Sequence, residues 1–195
     1  GWKSDEGHVG HWAPTDWKLV YDGKSTAKDP NLWSEKEYGD FVMICDWRFP
    51  RKPVEVEWPE VLPNGDDAQQ DGQPKLVKVM DAGDSGIYLR GSSKSQVNMW
   101  CRPVGSGEVY GYRTDKSQPA EVRAGVTPKK KADRPLGQWN RFLITMRGDR
   151  LTVVLNGETV IEQAQLPGVA PRGPIALQHH GDPIEFANIY IKELK

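Results

Sequence analysis

Apolar residues recur at every second position along much of this chain, and three helical turns almost never pass without a Gly or Pro interrupting them. In Phe41 to Phe49 the residues Phe41, Met43, Cys45 and Trp47 alternate with Val42, Ile44, Asp46 and Arg48, which gives the two faces of a strand different chemistry. The same period predicts strands over Gly86 to Arg90, Gln96 to Cys101, Glu108 to Tyr112, Trp139 to Arg147, Leu151 to Leu155, Ile175 to Gln178 and Ile184 to Ile191. Residues 139 to 161 read as antiparallel hairpins, with one turn near Gly148 and Asp149 and a tight turn at Asn156-Gly157. Apolar faces of this kind need a second sheet against them, so the pattern predicts an all-β, two-sheet antiparallel sandwich.

Length and composition narrow the class without changing it. The 195 residues, 37% of them hydrophobic, suffice for one substantial core and a single domain over 1–195. Eight Trp, fifteen Pro and twenty Gly fit short strands joined by specified turns. The 26 basic residues against 27 acidic ones give a net charge of −1, so no nucleic-acid partner is expected. No apolar run approaches the roughly 20 residues of a transmembrane helix. The segment from Gly1 carries no signal-peptide pattern, which leaves compartment open. Cys45 and Cys101 are too few for a cysteine-dense scaffold or a four-cysteine zinc site, and whether they pair is left open.

Pro50 to Lys78 contains five prolines and the turn signal Asn64-Gly65-Asp66-Asp67. It is too long for an ordinary connector and predicts an insertion, over about residues 50–80, that walls or lids a groove. Lys129, Lys130 and Lys131 read as a solvated loop. The first 20 residues read as an arm of unfixed course.

No zincin HExxH, GxSxG elbow, Walker loop or dinucleotide GxGxxG is present, so chemistry must be sought in strand faces and turns. His179 and His180 end an apolar strand just before Gly181, and adjacent strand residues point to opposite sides, so one of them, His180, is the candidate for a chemical role. Glu108, in GSGEVYGY with Tyr110 and Tyr112, is a candidate acid beside sugar-stacking rings. Asp46 and Arg48 share a strand face and form a second candidate pair. Gln96, Asn98 and Trp100 share another, polar and aromatic as a carbohydrate groove would be.

The order and spacing of LVYDGKS (19–25), YGDFVMICDWRF (38–49), GDSGIYLRG (83–91), GSGEVYGY (105–112), PLGQWNRFLITMRGDRLTVVLNGETV (135–160), GPIALQHHG (173–181) and IEFANIYIKEL (184–194) resemble the 3-keto-disaccharide hydrolase family over most of the chain. The resemblance implies a concanavalin-like jelly roll, a carbohydrate substrate, bacterial glycan use in the periplasm or outside the cell, and an upstream sugar 3-dehydrogenase. Members carry an acidic residue, a nonpolar residue and Gln in the strand after the RG segment; here SQVNMW, residues 95–100, places amides there instead. On a 3-keto-glycoside, His180 is expected as base, Arg48 or Arg90 as oxyanion stabiliser, Glu108 as acid and Asp46 as an orienting group, with Gln96, Asn98, Trp100, Tyr112 and Gln178 binding the sugar. Direct hydrolysis would instead pair Asp46 with Glu108 across the bond. A noncatalytic carbohydrate-binding module and a structural or interaction protein are the competing readings. No cofactor is implied; a divalent metal held by His180 and nearby carboxylates is compatible, but no spacing identifies the ion.

Overall fold

The alternation at Phe41 to Arg48 is realised as a strand in which Phe41, Met43, Cys45 and Trp47 enter the core. The computed structural model describes residues 1–195. In chain order its strands are β1 (Trp2–Lys3), β2 (Trp12–Thr15), β3 (Lys18–Tyr21), β4 (Leu32–Tyr38), β5 (Phe41–Arg48), β6 (Val54–Pro59), β7 (Gln69–Gln70), β8 (Gln73–Pro74), β9 (Leu76–Asp81), β10 (Ser85–Leu89), β11 (Ser92–Met99), β12 (Asn140–Arg147), β13 (Arg150–Leu155), β14 (Glu158–Gln165), β15 (Gly173–Leu177) and β16 (Ile184–Glu193). Two short helices, α1 (Tyr110–Arg113) and α2 (Ala120–Gly125), lie between β11 and β12.

A five-stranded sheet, ordered β1-β4-β15-β10-β11, packs against a seven-stranded sheet, ordered β14-β13-β12-β5-β16-β3-β2. All pairings are antiparallel, and the architecture is a concanavalin-like sandwich. The core between the sheets contains 32 buried residues, among them Phe142, Ile144, Ile87, Leu89, Val97 and Met99. Each such side chain contributes about 1.5–3 kcal/mol by leaving water. Both turns of the 139–161 segment are where the sequence puts them. Gly148-Asp149 joins β12 to β13, and Asn156-Gly157, with φ of 54° and 89°, joins β13 to β14.

The amino-terminal arm divides: β1 edges the smaller sheet and β2-β3 edge the larger one. Within the insertion, β6 pairs with β9 in a hairpin, and β7 pairs with β8. Its far turn is pinned to the helices by buried arginines. Arg113 donates to Gly65 O and Asp67 Oδ1, and Arg123 donates to Gly65 O and ion-pairs with Asp66.

Glu108 to Tyr112 corrects the sequence reading. Gly107, at φ +104°, faces Val160 so closely that a Cβ would lie 2.9 Å from its methyl, and the chain then turns into α1 rather than continuing as a strand. Tyr112 therefore enters the core, with its hydroxyl on Pro167 O, while Tyr110 stays exposed. Cys45 and Cys101 are buried free thiols. No helix is long and apolar enough to cross a membrane.

Candidate functional site

Since Ile87, Leu89, Val97, Ile175 and Leu177 point into the core, their strand neighbours Tyr88, Gln96 and Gln178 must line the outward face of the five-stranded sheet. Gln96 Nε2 donates to Gln178 Oε1 at 2.6 Å, so these two amides hold each other in place. At the edge of this face, three connections converge. Asp84 immediately precedes β10, Arg102 follows β11, and His180 and Asp182 follow β15.

The convergence depends on Gly83. Its φ is +145°, and a Cβ there would sit 2.9 Å from both Phe49 and Asp182, so only glycine lets the chain pass this close. Asp182 Oδ2 accepts the Asp84 N–H at 3.0 Å and Asp182 Oδ1 accepts from Arg51 at 2.5 Å. His180 stands between the two carboxylates, Nε2 4.0 Å from Asp84 and Nδ1 3.8 Å from Asp182, with its side chain 48% exposed. Arg102 Nη2 approaches Asp84 Oδ2 at 3.4 Å. Its guanidinium lies 4.1 Å from the ring centroids of Trp58 and Trp100 and 5.4 Å from that of Tyr110. Trp58 comes from the insertion, whose indole N–H donates to Asp81, so the hairpin forms one wall of the site.

Burial dominates the proton affinity of Asp84. The charges of His180 and Arg102 pull it down and those of Asp81 and Asp182 push it up, and the balance leaves it raised to about 6. Beneath Arg102, Glu108 is fully buried. Arg113 Nε abuts Glu108 Oε1 as an ion pair without hydrogen-bond alignment, and neither carboxylate oxygen has an aligned donor. Burial raises this carboxyl to about 7, against the opposing charges of Arg113 and Arg102.

The structure thus gathers His180, Gln96 and Gln178 on one face, whereas Trp100 is buried under the Arg102 guanidinium with its indole N–H on Gly105 O, and Glu108 is sealed within. Other candidates from the sequence are elsewhere. Asn98 is buried and donates to Glu108 O, which fixes the backbone of that acid instead of meeting a sugar. Tyr112 is in the core. Arg90 is a buried staple: it donates to the carbonyls of Gly39, Gly148 and Ala170 and to Asp40, which engages four of its five N–H groups, and its burial keeps it from facing an oxyanion on the solvent side. Asp46 and Arg48 lie on the outward face of the other sheet. Asp46 accepts from Arg141 and Asn188, and Arg48 donates to Glu185. Asp46, outward on the seven-stranded sheet, and Glu108, fully buried beside β11, consequently do not face a common groove as direct hydrolysis requires. His179 contacts the Tyr21 hydroxyl, and burial lowers its proton affinity, with the charge of His180 adding to the effect.

A cleft of about 510 Å³ is lined on one side by Trp47, Phe49, Met80 and Trp100 and on the other by Asp133, Arg134 and Gln138. It contains none of the Asp84–His180–Arg102 cluster. No group of three His, Cys, Asp or Glu side chains is arranged to hold a metal ion.

Comparison with known proteins shows the family and the fold. The 3-keto-alpha-glucoside-1,2-lyase-like domain family matches residues 1–192. The chain belongs to that family. No curated protein matches it. Among solved structures, a Parabacteroides distasonis protein classed provisionally as a glycosyl hydrolase is similar at TM-score 0.66 and 21% identity, over 99% of this chain and 78% of that one. The carbohydrate-binding module CBM66 from Bacillus subtilis is similar at TM-score 0.55 and 14% identity, over 99% and 96%. These likenesses show the shared sandwich.

Within the 3-keto-α-glucoside-1,2-lyase-like family this member puts the Gln96 amide where the resemblance led us to expect an acid, and the structure ties that amide to Gln178. The carboxyl that the structure adds to this cluster is Asp84, which sequence reasoning passed over although it lies in the landmark GDSGIYLRG. Arg102, Asp182 and Trp58 were missed as well, whereas Tyr88 lies on a strand face whose alternation already suggests a carbohydrate groove. Asp84 carried a signal, being beside a strand whose other face was already assigned to the core.

Proposed function

We propose that this protein cleaves 3-keto-glycosides by elimination followed by hydration. The observation that carries the reading is the junction of a carboxyl raised to about 6, Asp84, with a half-exposed imidazole and a guanidinium on a polar sheet face. The ketone at C3 acidifies the C2 hydrogen. His180 takes that proton, and the electron pair left behind is delocalised onto the C3 oxygen, which Arg102 faces. The enolate then re-forms the ketone, a C1–C2 double bond is made and the C1–O bond breaks, with the Asp84 carboxyl giving its proton to the departing oxygen. Water adds back at C1 and a proton at C2 to give the free 3-keto sugar. Gln96 and Gln178 hold hydroxyls during both steps.

The substrate ketone must come from an enzyme that oxidises C3 of a sugar, and the family reading goes with a periplasmic or extracellular setting. One observation favours a second reading, a carbohydrate-binding module without turnover: the amide at Gln96. Time-resolved NMR of the protein with 3-keto-glucosides and their unoxidised parents decides between them. Cleavage restricted to the keto substrates, with C2 proton exchange or a transient glycal, is expected, as is loss of turnover in a folded His180→Ala variant. Saturable binding with no product from either series would establish the module instead.

A further inference from the structure

The polar face continues beyond the reacting cluster. Gln96 pairs with Tyr88, Tyr88 with Ala176, Ala176 with Trp33, and Trp33 with Lys3, so one cross-strand row runs over all five strands. Four strand spacings make it about 19 Å long, more than a disaccharide covers. Ala176 leaves room above it, where the rings of Tyr88 and Trp33 meet at 5.8 Å with a 53° tilt. The Trp33 ring is fixed in advance: its Nε1 donates to Asp29 Oδ2 at 2.7 Å, and the Asn31 amide donates to Asp29 Oδ1 at 2.8 Å. Beyond the ring opens a concavity of about 560 Å³ between the amino-terminal arm and β4, with Lys3, Ser4, Asp5, Asp29 and Asn31 around Trp33. Lys3 has no ion-pair partner there. Tyr88 joins the two ends. Burial raises its proton affinity in spite of a Gln178 hydrogen bond, and Asp29 on one side and Asp84 on the other add to the effect.

A half-buried indole held rigid beside carboxylate, amide and ammonium groups suits a pyranose, which presents an apolar ring face and a rim of hydroxyls. We propose that Trp33 and the concavity beside it form a second sugar subsite, so that the ligand is an oligosaccharide laid across the strands, its reacting unit at Asp84 and His180 and a further unit on Trp33. The substrate class it names rests on the elimination reading, but the subsite can be tested without turnover.

The test titrates the protein with unoxidised glucose oligomers of one to four units in α-1,4-, α-1,6- and β-1,4-linked series. Affinity and the Trp33 indole N–H resonance are followed. Affinity is expected to rise with chain length in at least one series, on the order of tenfold, as stacking and added hydrogen bonds accumulate, and the indole signal shifts only with the longer members. Trp33→Ala loses that gain, and Trp33→Phe, which keeps a ring, retains most of it. Affinity independent of length in all three series, or an unmoved indole signal, overturns the subsite. Length-dependent binding at Trp33 without cleavage of any 3-keto derivative would sink the elimination reading and leave the subsite standing. Cleavage of 3-keto glucosides with no effect of length would do the reverse.

Discussion

The two outer faces of the sandwich carry the same kinds of residue in opposite states. On the seven-stranded sheet, burial pulls Asp46 upward, but hydrogen bonds from Arg141 and Asn188 and the charge of Arg141 outweigh it and hold the carboxylate below its usual range. Glu185 is treated alike by Lys18 and Arg48. On the five-stranded sheet the insertion and Arg102 bury Asp84 without giving it a close partner, and the nearest side-chain nitrogens, of Arg102 and His180, stand at 3.4 and 4.0 Å. Arg102 itself is occupied by two indole faces. A carboxylate with short, aligned donors is spent on the fold; one that is desolvated and loosely matched retains a proton near neutrality and can exchange it.

That contrast can be broken by neutralising one carboxylate on each face. Asp84→Asn should have the larger consequence, a loss of about 10²- to 10⁴-fold in turnover of a 3-keto-glucoside, the range a positioned acid supplies. In the parent protein kcat should decline on the alkaline side as Asp84 loses its proton above about 6, and the variant's residual rate should lack this limb. A residual rate within threefold of the parent would remove Asp84 from the mechanism. Asp46→Asn should leave turnover intact and cost about 2 kcal/mol of stability, because charge-assisted hydrogen bonds from Arg141 and Asn188 are weakened. Urea unfolding measures it, and an unchanged midpoint would mean that the pair contributes nothing.

Why the sequence led to Asp46 and passed over Asp84 follows from what period two contains. Parity correctly puts Asp46 and Arg48 outside the core, but it is silent on which of two outer faces holds a site. The strand at Phe41 and the hairpins at Gly148 and Asn156 were legible because alternation and turn chemistry are local. β4 was not, because Leu32–Tyr38 sends only Leu32 and Ser34 fully inside and otherwise reads LWSEKEY as polar. α1 was misread since Glu108 to Tyr112 alternates as a strand would, while the contact that turns it, Gly107 on Val160, links residues far apart in the chain. Asp84 owes its chemistry to Arg102, His180 and Asp182, which arrive from two other connections, and to Trp58 in the hairpin that precedes it; none of this is expressed as a spacing.

A smaller effect sharpens the same contrast through pH. An unfolded glutamic acid titrates near about 4.3, whereas burial lifts Glu108 to about 7 in the folded chain. Between those values the folded protein holds the extra proton, so this group's contribution to stability is complete below the unfolded value and is lost as pH rises through about 7. Glu108→Gln cannot ionise, and its stability relative to the parent should therefore improve from pH 5 to pH 8 in paired urea titrations. Asp46→Asn should give the opposite slope at lower pH. The folded Asp46 is held below its unfolded value, so the parent's advantage over that variant is present above the unfolded value and disappears as pH falls through the folded one. Slopes of the same sign in the two variants would mean that Glu108 is ionised and firmly paired with Arg113, and that both faces bury their carboxylates in the same way.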